Sequence, residues 1–410
     1  MTRTQPSPGL PSQDQSPDPV QNRHRNRDQD QPLAVRVPAS LRVSAAERLV
    51  SVPNRRRAAE HLVANAPDHG IDLDLLWGVL GQGPSAPYVR QVVMGVPSAG
   101  KTGMLFLSAP RPERRFGPAP VQTAELAACL RAAVNELPRV SPKPVSISQA
   151  LIEPEHAWGG RACRDAGMTW VGRLSFLRRR WSPATNPSAF QPVSEWPASV
   201  TVETVTDPLD FAPDGSGTAL AHALDGTYED TRDCPELCGL RPTRDVIASH
   251  MATGAFDPNR WWLLRVDGAA EGCCLLNHCP ASSSVELVYL GLSPRARGMG
   301  LGRRLLAHAL AHIDLNDVRE VTCAVDTRNE PALKLYHAMG FRAFSARIGF
   351  VHVSPTQIVE IKPAAPEPTR AASVAEMKPP APNTQSTGAS SSGQPGTSRG
   401  QEKVDDAKRL

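Results

Sequence analysis

An apolar strand that stops at a proline and passes through three closely spaced glycines into an amphipathic helix constrains this chain more than any other stretch. In "ELVYLGLSPRARGMGLGRRLLAHAL" (residues 286–310) apolar residues run to Leu292, Pro294 ends the run, and Gly298, Gly300 and Gly302 precede a helical stripe of Leu301, Leu305, Leu306, Leu310 and Ile313. Glycines at a helix start let backbone N–H groups approach an anion closely, and the helix dipole adds roughly 0.3–1 kcal/mol in favour of negative charge. "VELVYLGL" is apolar at both parities, as expected of a central strand covered on both sides. The turn reads as a cradle for a diphosphate.

The surroundings alternate in the same way. Apolar runs at "SVTVETV", "WWLLRVDG", "EGCCLLNH", "EVTCAVD" and "FSARIGFVHV" predict strands, and helices are expected near 217–226, 243–253, 300–313 and 331–339. Hairpins come first and helices later, which predicts an α/β fold with a mixed sheet and helices on its faces. The chain has 410 residues, enough for two ordinary domains. Residues 1–45 and 357–410 are rich in Pro, Gln, Ser and charge, too poor in apolar residues to offset chain entropy, and read as disordered tails. "SPATNPSAFQPVSEWPAS" (182–199), with four prolines, reads as a linker between domains at 46–181 and 200–356.

The first of these domains is a fainter version of the second. Sliding the sequence by 173 residues superposes Gly340 on Gly167 and Val325 on Ile152, which points to an internal duplication. The helix "AELAACLRAAVNEL" (124–137) matches the one that begins at residue 300, but "RPERRFGPAPVQ" before it has one glycine and three prolines where the cradle belongs.

The glycine turn and a second motif, "AVDTRNEPALKLYHAMGF" (324–341), together resemble the GNAT superfamily of acetyl-CoA-dependent N-acyltransferases. Arg297-x-x-Gly300-x-Gly302 looks like its Q/R-x-x-G-x-G/A signature, and Asn329-x-x-Ala332-x-x-x-Tyr336-x-x-x-Gly340-Phe341 like its following strand-helix element. The resemblance covers about 200–353, and the tandem arrangement with a degenerate first copy is similar to that of mycothiol synthases. It implies acetyl-CoA as cosubstrate, no metal, and an amine acceptor, small molecule or peptide. The strand of Leu290 and Leu292 would splay from its neighbour and pair with the pantetheine arm; Arg297, Gly298, Met299, Gly300, Leu301, Gly302 and Arg303 would wrap the diphosphate; Asn329 would hold the cofactor or the loop. Tyr336 would protonate the departing thiolate, a phenol of pKa about 10 against a thiol near 8.5. Cys163 occupies the matching place in the first copy, which is therefore expected to be silent.

An amine substrate must lose a proton before attack. Glu286, the one carboxylate within the apolar strand, is the leading base, since partial burial raises a carboxyl pKa toward neutrality; His278 and Asp326 are alternatives. The acceptor itself carries no signature in the residues expected to bind it, about 217–255. Two rival readings remain: an acyl-CoA-binding module without catalysis, and a nucleotide hydrolase built on "VVMGVPSAGKTGMLFL" (92–107), where Gly95, Gly100, Lys101 and Thr102 fall in Walker A spacing. In that stretch Thr102 leads into Gly103 and a strand instead of a helix, so a hairpin turn is expected. "FLRRRW" (176–181) reads as a solvated strand end.

Net charge is +4 and the seven tryptophans are dispersed, so neither a nucleic-acid platform nor an acidic membrane partner is expected. Eight scattered cysteines without paired C-x-x-C spacing argue against a disulfide framework and a structural zinc site. With no apolar stretch typical of a signal peptide or membrane span, a cytoplasmic protein is expected.

Overall fold

In a computed structural model of the chain, which describes residues 32–181, 193, 195–211 and 217–354, the first half supplies β1 (Val35–Arg36), α1 (Arg42–Leu49), α2 (Arg55–Asn65), β2 (Leu76–Gln82), β3 (Pro87–Ser98), β4 (Thr102–Leu107), α3 (Ala119–Val140), β5 (Ile147–Ile152), α4 (Ala157–Asp165) and β6 (Thr169–Arg180). The second half supplies β7 (Val200–Thr204), α5 (Ala219–Tyr228), α6 (Thr243–Met251), β8 (Trp261–Val266), β9 (Ala269–Cys279), β10 (Ser284–Leu292), α7 (Leu301–Ala311), β11 (Glu320–Asp326), α8 (Glu330–Ala338) and β12 (Arg342–Val353). The mixed α/β fold expected from the sequence is the one observed. Shifted by 173 residues, α4 falls on α8 and β6 on β12, end to end.

The described residues build one 12-stranded sheet in the order β1-β2-β3-β4-β5-β12-β6-β11-β10-β9-β8-β7. Its centre interlocks the halves. β12, the last strand, lies between β5 and β6, pairing Phe350 with Ala150 on one side and Ala343 with Leu177 on the other. β6 in turn pairs with β11 along its length, Arg180 opposite Glu320 through Leu174 opposite Asp326. Each half therefore completes its sheet with the other's final strand.

Alternation along these strands sorts the helices. Leu177, Cys323 and Cys274 pack under α7 and α8 in one apolar cluster, while Ile348 and Phe350 pack under α3 and α4 in another. Because Arg173 is paired with Ile348 and shares its face with Leu177, both clusters lie on the same face of the sheet. The opposite face carries α5 and α6 over Trp261, Leu263, Cys273 and Leu275, and α1 over Leu76, Val92 and Met94.

Three expectations change or sharpen here. The tail assigned to 1–45 ends earlier: Val35 pairs with Gly78, and Val37, Leu41 and Ala45 are buried against β2 and β3. "FLRRRW" is not a solvated end, because strand exchange places it between β12 and β11; Trp181 is buried and Arg179 Nη1 donates to Met339 O at 2.6 Å, while Arg178 and Arg180 keep their exposure. The Walker-like stretch is the hairpin expected, β3 and β4 joined through Gly100 and Lys101 at positive φ, with Gly95 packed against Leu137 and Trp77. Of the linker, 182–192 and 194 lie outside the described residues, as do 1–31 and the 357–410 tail.

Candidate active site

β10 and β11 run parallel but pair at only three positions, Ser284 with Glu320, Val285 with Val321 and Glu286 with Thr322. Beyond Glu286 the strands part, while β10 stays paired with β9 out to Leu292. A bulge between Leu287 and Tyr289 starts the divergence: the extra residue bends β10 away from β11. The strands are therefore splayed at Leu290 and Leu292, which leaves Leu290 without a β11 partner, while the Leu292 carbonyl is taken by Arg297. A wedge between parallel strands suits an extended amide-bearing arm, which can add its own hydrogen bonds there.

At the mouth of the wedge β10 hands over to the glycine turn. Gly298 and Gly300 adopt φ of +78° and +73°, and a Cβ at either position would meet no atom within 4 Å, so the left-handed backbone and not crowding requires glycine. Among the described residues no acceptor is found for the N–H groups of Gly298, Met299, Gly300, Leu301, Gly302 and Arg303. A helix always leaves its first N–H groups without internal partners, and here the two left-handed glycines extend that set into the loop. Side chains do not fill the space: Met299 points outward, 53% exposed. Arg303 is exposed, and Arg304 is turned to the carbonyl of Glu195 over Trp196.

The guanidinium of Arg297 is placed differently from the phosphate contact expected of it. Nε donates to Leu292 O at 2.9 Å and Nη2 to Thr227 O at 3.0 Å and Glu229 O at 2.8 Å, with a longer contact from Nη1 to Asp230 O. It caps the C-terminal end of α5 and ties it to β10, a task that uses the multiple donors of arginine.

Tyr336 is the buried residue of α8. The helix is fixed at both ends: Asn329 caps it by accepting the Ala332 N–H at 3.3 Å, Pro331 sits in the first turn, and Gly340 closes it with the Phe341 N–H on Tyr336 O at 3.0 Å. The phenol packs on Phe341, ring centroids 5.8 Å apart. Burial holds it well above its ordinary value near 10, and Cys323, Asp233, Cys274 and Tyr289 around it add to the same effect. It is thus a protonated acid throughout the neutral range. In the first half Cys163 is fully buried and burial pushes its thiol up to about 12.

Glu286 is the last residue of β10 paired with β11, opposite Thr322 there and Asn277 on β9, where the wedge opens. The two alternative bases are committed elsewhere. His278 Nε2 meets Asp317 Oδ2 at 3.0 Å. Asp326 has a fully buried side chain 2.6 Å from Arg328 Nη2; burial alone would raise its carboxyl, but the hydrogen bonds and charge of Arg328 hold it below the usual range. Arg328 also reaches Glu236, so the 233–237 loop is clamped to the end of β11.

Sequence reasoning missed Asp233. Its carboxylate accepts the Asp326 N–H at 2.9 Å and bonds to the Asn329 side chain, so Asn329 holds the loop. Although the residue keeps exposed surface, its carboxyl is raised, chiefly by withdrawal from water and also by the Asp326 charge. Nothing periodic in "YEDTRDCPEL" marks it out.

The matching turn in the first half is closed. The Gln122 side chain accepts the Arg111 N–H at 2.8 Å and donates to Arg111 O and Gly117 O at 2.7 and 2.8 Å, while Gln91 Nε2 donates to its oxygen at 2.9 Å. The loop amides of Phe116 and Gly117 turn inward onto Glu113 and Arg114 carbonyls. The same position in the fold is a plugged turn in one copy and an open one in the other.

Residues 224–341 match the acetyltransferase (GNAT) family model. Among curated proteins, the chain is similar to mycothiol acetyltransferases of Thermomonospora curvata, 30% identical over 143 residues (32% of this chain and 47% of that one), and Beutenbergia cavernae, 32% identical over 158 residues (32% and 52%). The chain spans about half the length of the curated relatives it matches. Among solved structures it is similar to a GCN5-related N-acetyltransferase from Sphaerobacter thermophilus, with a TM-score of 0.48 and 18% identity over 79% of this chain and 96% of that one. It is also similar to a tandem GNAT protein from the clavulanic acid biosynthesis pathway, with a TM-score of 0.38 and 15% identity over 68% and 82%. The wedge, the glycine turn and Tyr336 all lie within residues 224–341, the segment that matches the GNAT family model.

Proposed function

We propose that the second half transfers an acetyl group from acetyl-CoA to a primary amine by direct attack, with no covalent enzyme intermediate. The observation that carries this reading is the open wedge between β10 and β11, with the run of N–H groups from Gly298 to Arg303 at its mouth. Those amides would hold the diphosphate and the free edge of β10 at Leu290 the pantetheine arm, so that the cosubstrate supplies a thioester at the point where the strands part. Fixed donors in a water-poor site orient the carbonyl and disperse its developing charge.

Glu286, at the opening of the wedge, would take the proton from the attacking amine, with Asp233 as the second carboxylate near the phenol. Tyr336 would give its proton to the departing sulfur. Burial raises the phenol, but it raises thiols in the same surroundings as well: Cys323 and Cys274 are both pushed up by it, so the transfer keeps its balance. The buried cysteines are poor nucleophiles for the same reason, which favours direct attack over a ping-pong route. The relatives are mycothiol acetyltransferases, and we favour a small-molecule amine as acceptor.

Calorimetric titration with acetyl-CoA tests binding, and release of free coenzyme A from a panel of glucosamine, cysteine methyl ester, spermidine and a lysine peptide tests transfer. Micromolar binding with amine-dependent release supports the reading. Binding without release by any amine favours an acyl-CoA-binding module, and no binding overturns both.

A further inference from the structure

The Walker-like hairpin has a geometry that the acyl-transfer reading leaves unused. Its turn lies against α6, on the face of the sheet opposite α7 and α8. Ser249 Oγ donates to Ala99 O at 3.1 Å, Arg241 Nη1 donates to Ser249 Oγ at 2.8 Å and to Gly100 O at 3.3 Å, and Lys101 Nζ lies 3.2 Å from Asp245 Oδ2. A Cβ on Gly100 would fall 2.1 Å from both Asp245 O and Ser249 Oγ, so the two segments touch main chain to main chain. Gly100 also sits at φ +66°, and Lys101 takes φ 53° although it is not a glycine. On the other side the turn is anchored in its own sheet, where Lys101 O accepts the Ser146 N–H at 2.7 Å.

From α6 the contacts lead to the candidate site. Asn277 Nδ2 donates to His250 O and Thr253 O at 2.7 and 2.6 Å, and Asn277 is the strand partner of Glu286. His250 lies over Tyr289, ring centroids 5.6 Å apart, next to the bulge that opens the wedge. One short helix thus bridges the 99–101 turn and the pair of strands that carry Asn277 and Glu286.

We infer that Ala99, Gly100 and Lys101 are positioning residues for the amine side of the site: the half with the plugged turn docks its β3–β4 hairpin on α6 and sets where that wall stands relative to Glu286. Gly-Lys in this stretch serves a close backbone contact and an ion pair across the halves. The inference rests on the acyl-transfer reading for its functional consequence and on contacts alone for the docking.

The docking is tested by hydrogen exchange of the full chain without ligand, in Lys101→Met and Gly100→Ala, with Lys101→Arg as the conservative variant. Exchange in a peptide covering 243–251 should rise about tenfold in the first two and return toward wild type in Lys101→Arg, while 301–311 stays within twofold. In kinetics with the best amine of the panel above, KM for the amine should rise about fivefold in Lys101→Met, with kcat and the acetyl-CoA Kd within twofold. Unchanged exchange over 243–251 in both variants overturns the docking, and a matched rise in both KM values overturns the amine-side assignment. If wild-type protein fails to bind acetyl-CoA, the acyl-transfer reading and the amine-side role fall together, while the exchange result still decides the docking.

Discussion

Replacing Tyr336 with phenylalanine removes one oxygen from a side chain that is 5% exposed and leaves its packing on Phe341 in place. Among the described residues the hydroxyl makes no hydrogen bond, so folded stability should change by only about 0.5 kcal/mol or less. The cost falls on the leaving group. A thiol with an ordinary pKa near 8.5 that must depart unprotonated at pH 7 loses about 1.5 units, or ~2 kcal/mol, equivalent to ~30-fold in rate. In this pocket the loss is larger, because burial pushes the Cys323 and Cys274 thiols up and acts on a departing thiolate in the same way. General acids contribute roughly 10²–10⁴-fold, so kcat should fall at least ~100-fold. Coenzyme A release followed by a thiol reagent gives kcat, and calorimetry gives the acetyl-CoA Kd, expected within about twofold of wild type. A kcat within threefold of wild type would refute the reasoning and make Tyr336 a core tyrosine.

In Gly300→Glu the new Cβ meets no atom within 4 Å, but the residue must adopt φ +73°, which costs about 1–2 kcal/mol, and it puts a negative charge at the amide cradle; the acetyl-CoA thermal shift should vanish while the fold persists by circular dichroism. Asp326 is depressed below its ordinary 3.8, so its contribution is present above that value and lost as pH falls through the lower folded one. Asp326→Ala should cost about 3 kcal/mol in urea unfolding at pH 7 and show a flatter acid limb below pH 4; wild-type stability at pH 7 would sink the clamp. His308 is lowered from 6.5 to about 4, mainly by burial and further by His312, so its neutral form stabilises the fold above pH 6.5 and that stability drains as pH falls toward 4. A Tm series from pH 7 to 4 should slope less in His308→Gln, and parallel slopes would contradict the assignment. A fragment of residues 195–354 lacks both partners of β12 and the β6 neighbour of β11, so light scattering should find aggregates or exchanged dimers, and a well-folded monomer would disprove the need for interlocking.

Which parts of this arrangement were legible depended on how far apart in sequence the interacting residues lie. The glycine turn could be read because its chemistry is local: Gly298 and Gly300 need no partner beyond their own backbone to take positive φ, and α7 begins at the next residue. Tyr336 was legible for the same reason, since the helix that aims it is closed by Asn329, Pro331 and Gly340 within a dozen residues. The hairpin at Gly100 followed from the strand that comes straight after Thr102. Arg297 was misplaced because a guanidinium takes whatever carbonyls the tertiary structure brings, here those at the end of α5 some 70 residues earlier. Asp233 was missed because its role depends on Asp326 and Asn329 arriving beside it.

The exchange of β6 and β12 is the extreme case of that distance rule, and it bears on why a half with a plugged turn is retained. Two copies related by a 173-residue shift carry final strands of the same length, and nothing in their alternation states which copy each should join. Once exchanged, the strands make the halves mutually dependent: Phe350 and Ile348 fill the core under α3 and α4, and Leu177 fills the one under α7 and α8. A substitution that loosens either core then also disturbs the sheet under the other. Gln122 can therefore close one cradle without loss of the fold, because the first half still supplies β6 as the neighbour of β11, on the flank away from the wedge, and the hairpin that touches α6. The copy without an open cradle contributes rigidity on two sides of the copy that has one, and β10 and β11 can part from each other because each is held firmly by its other neighbour.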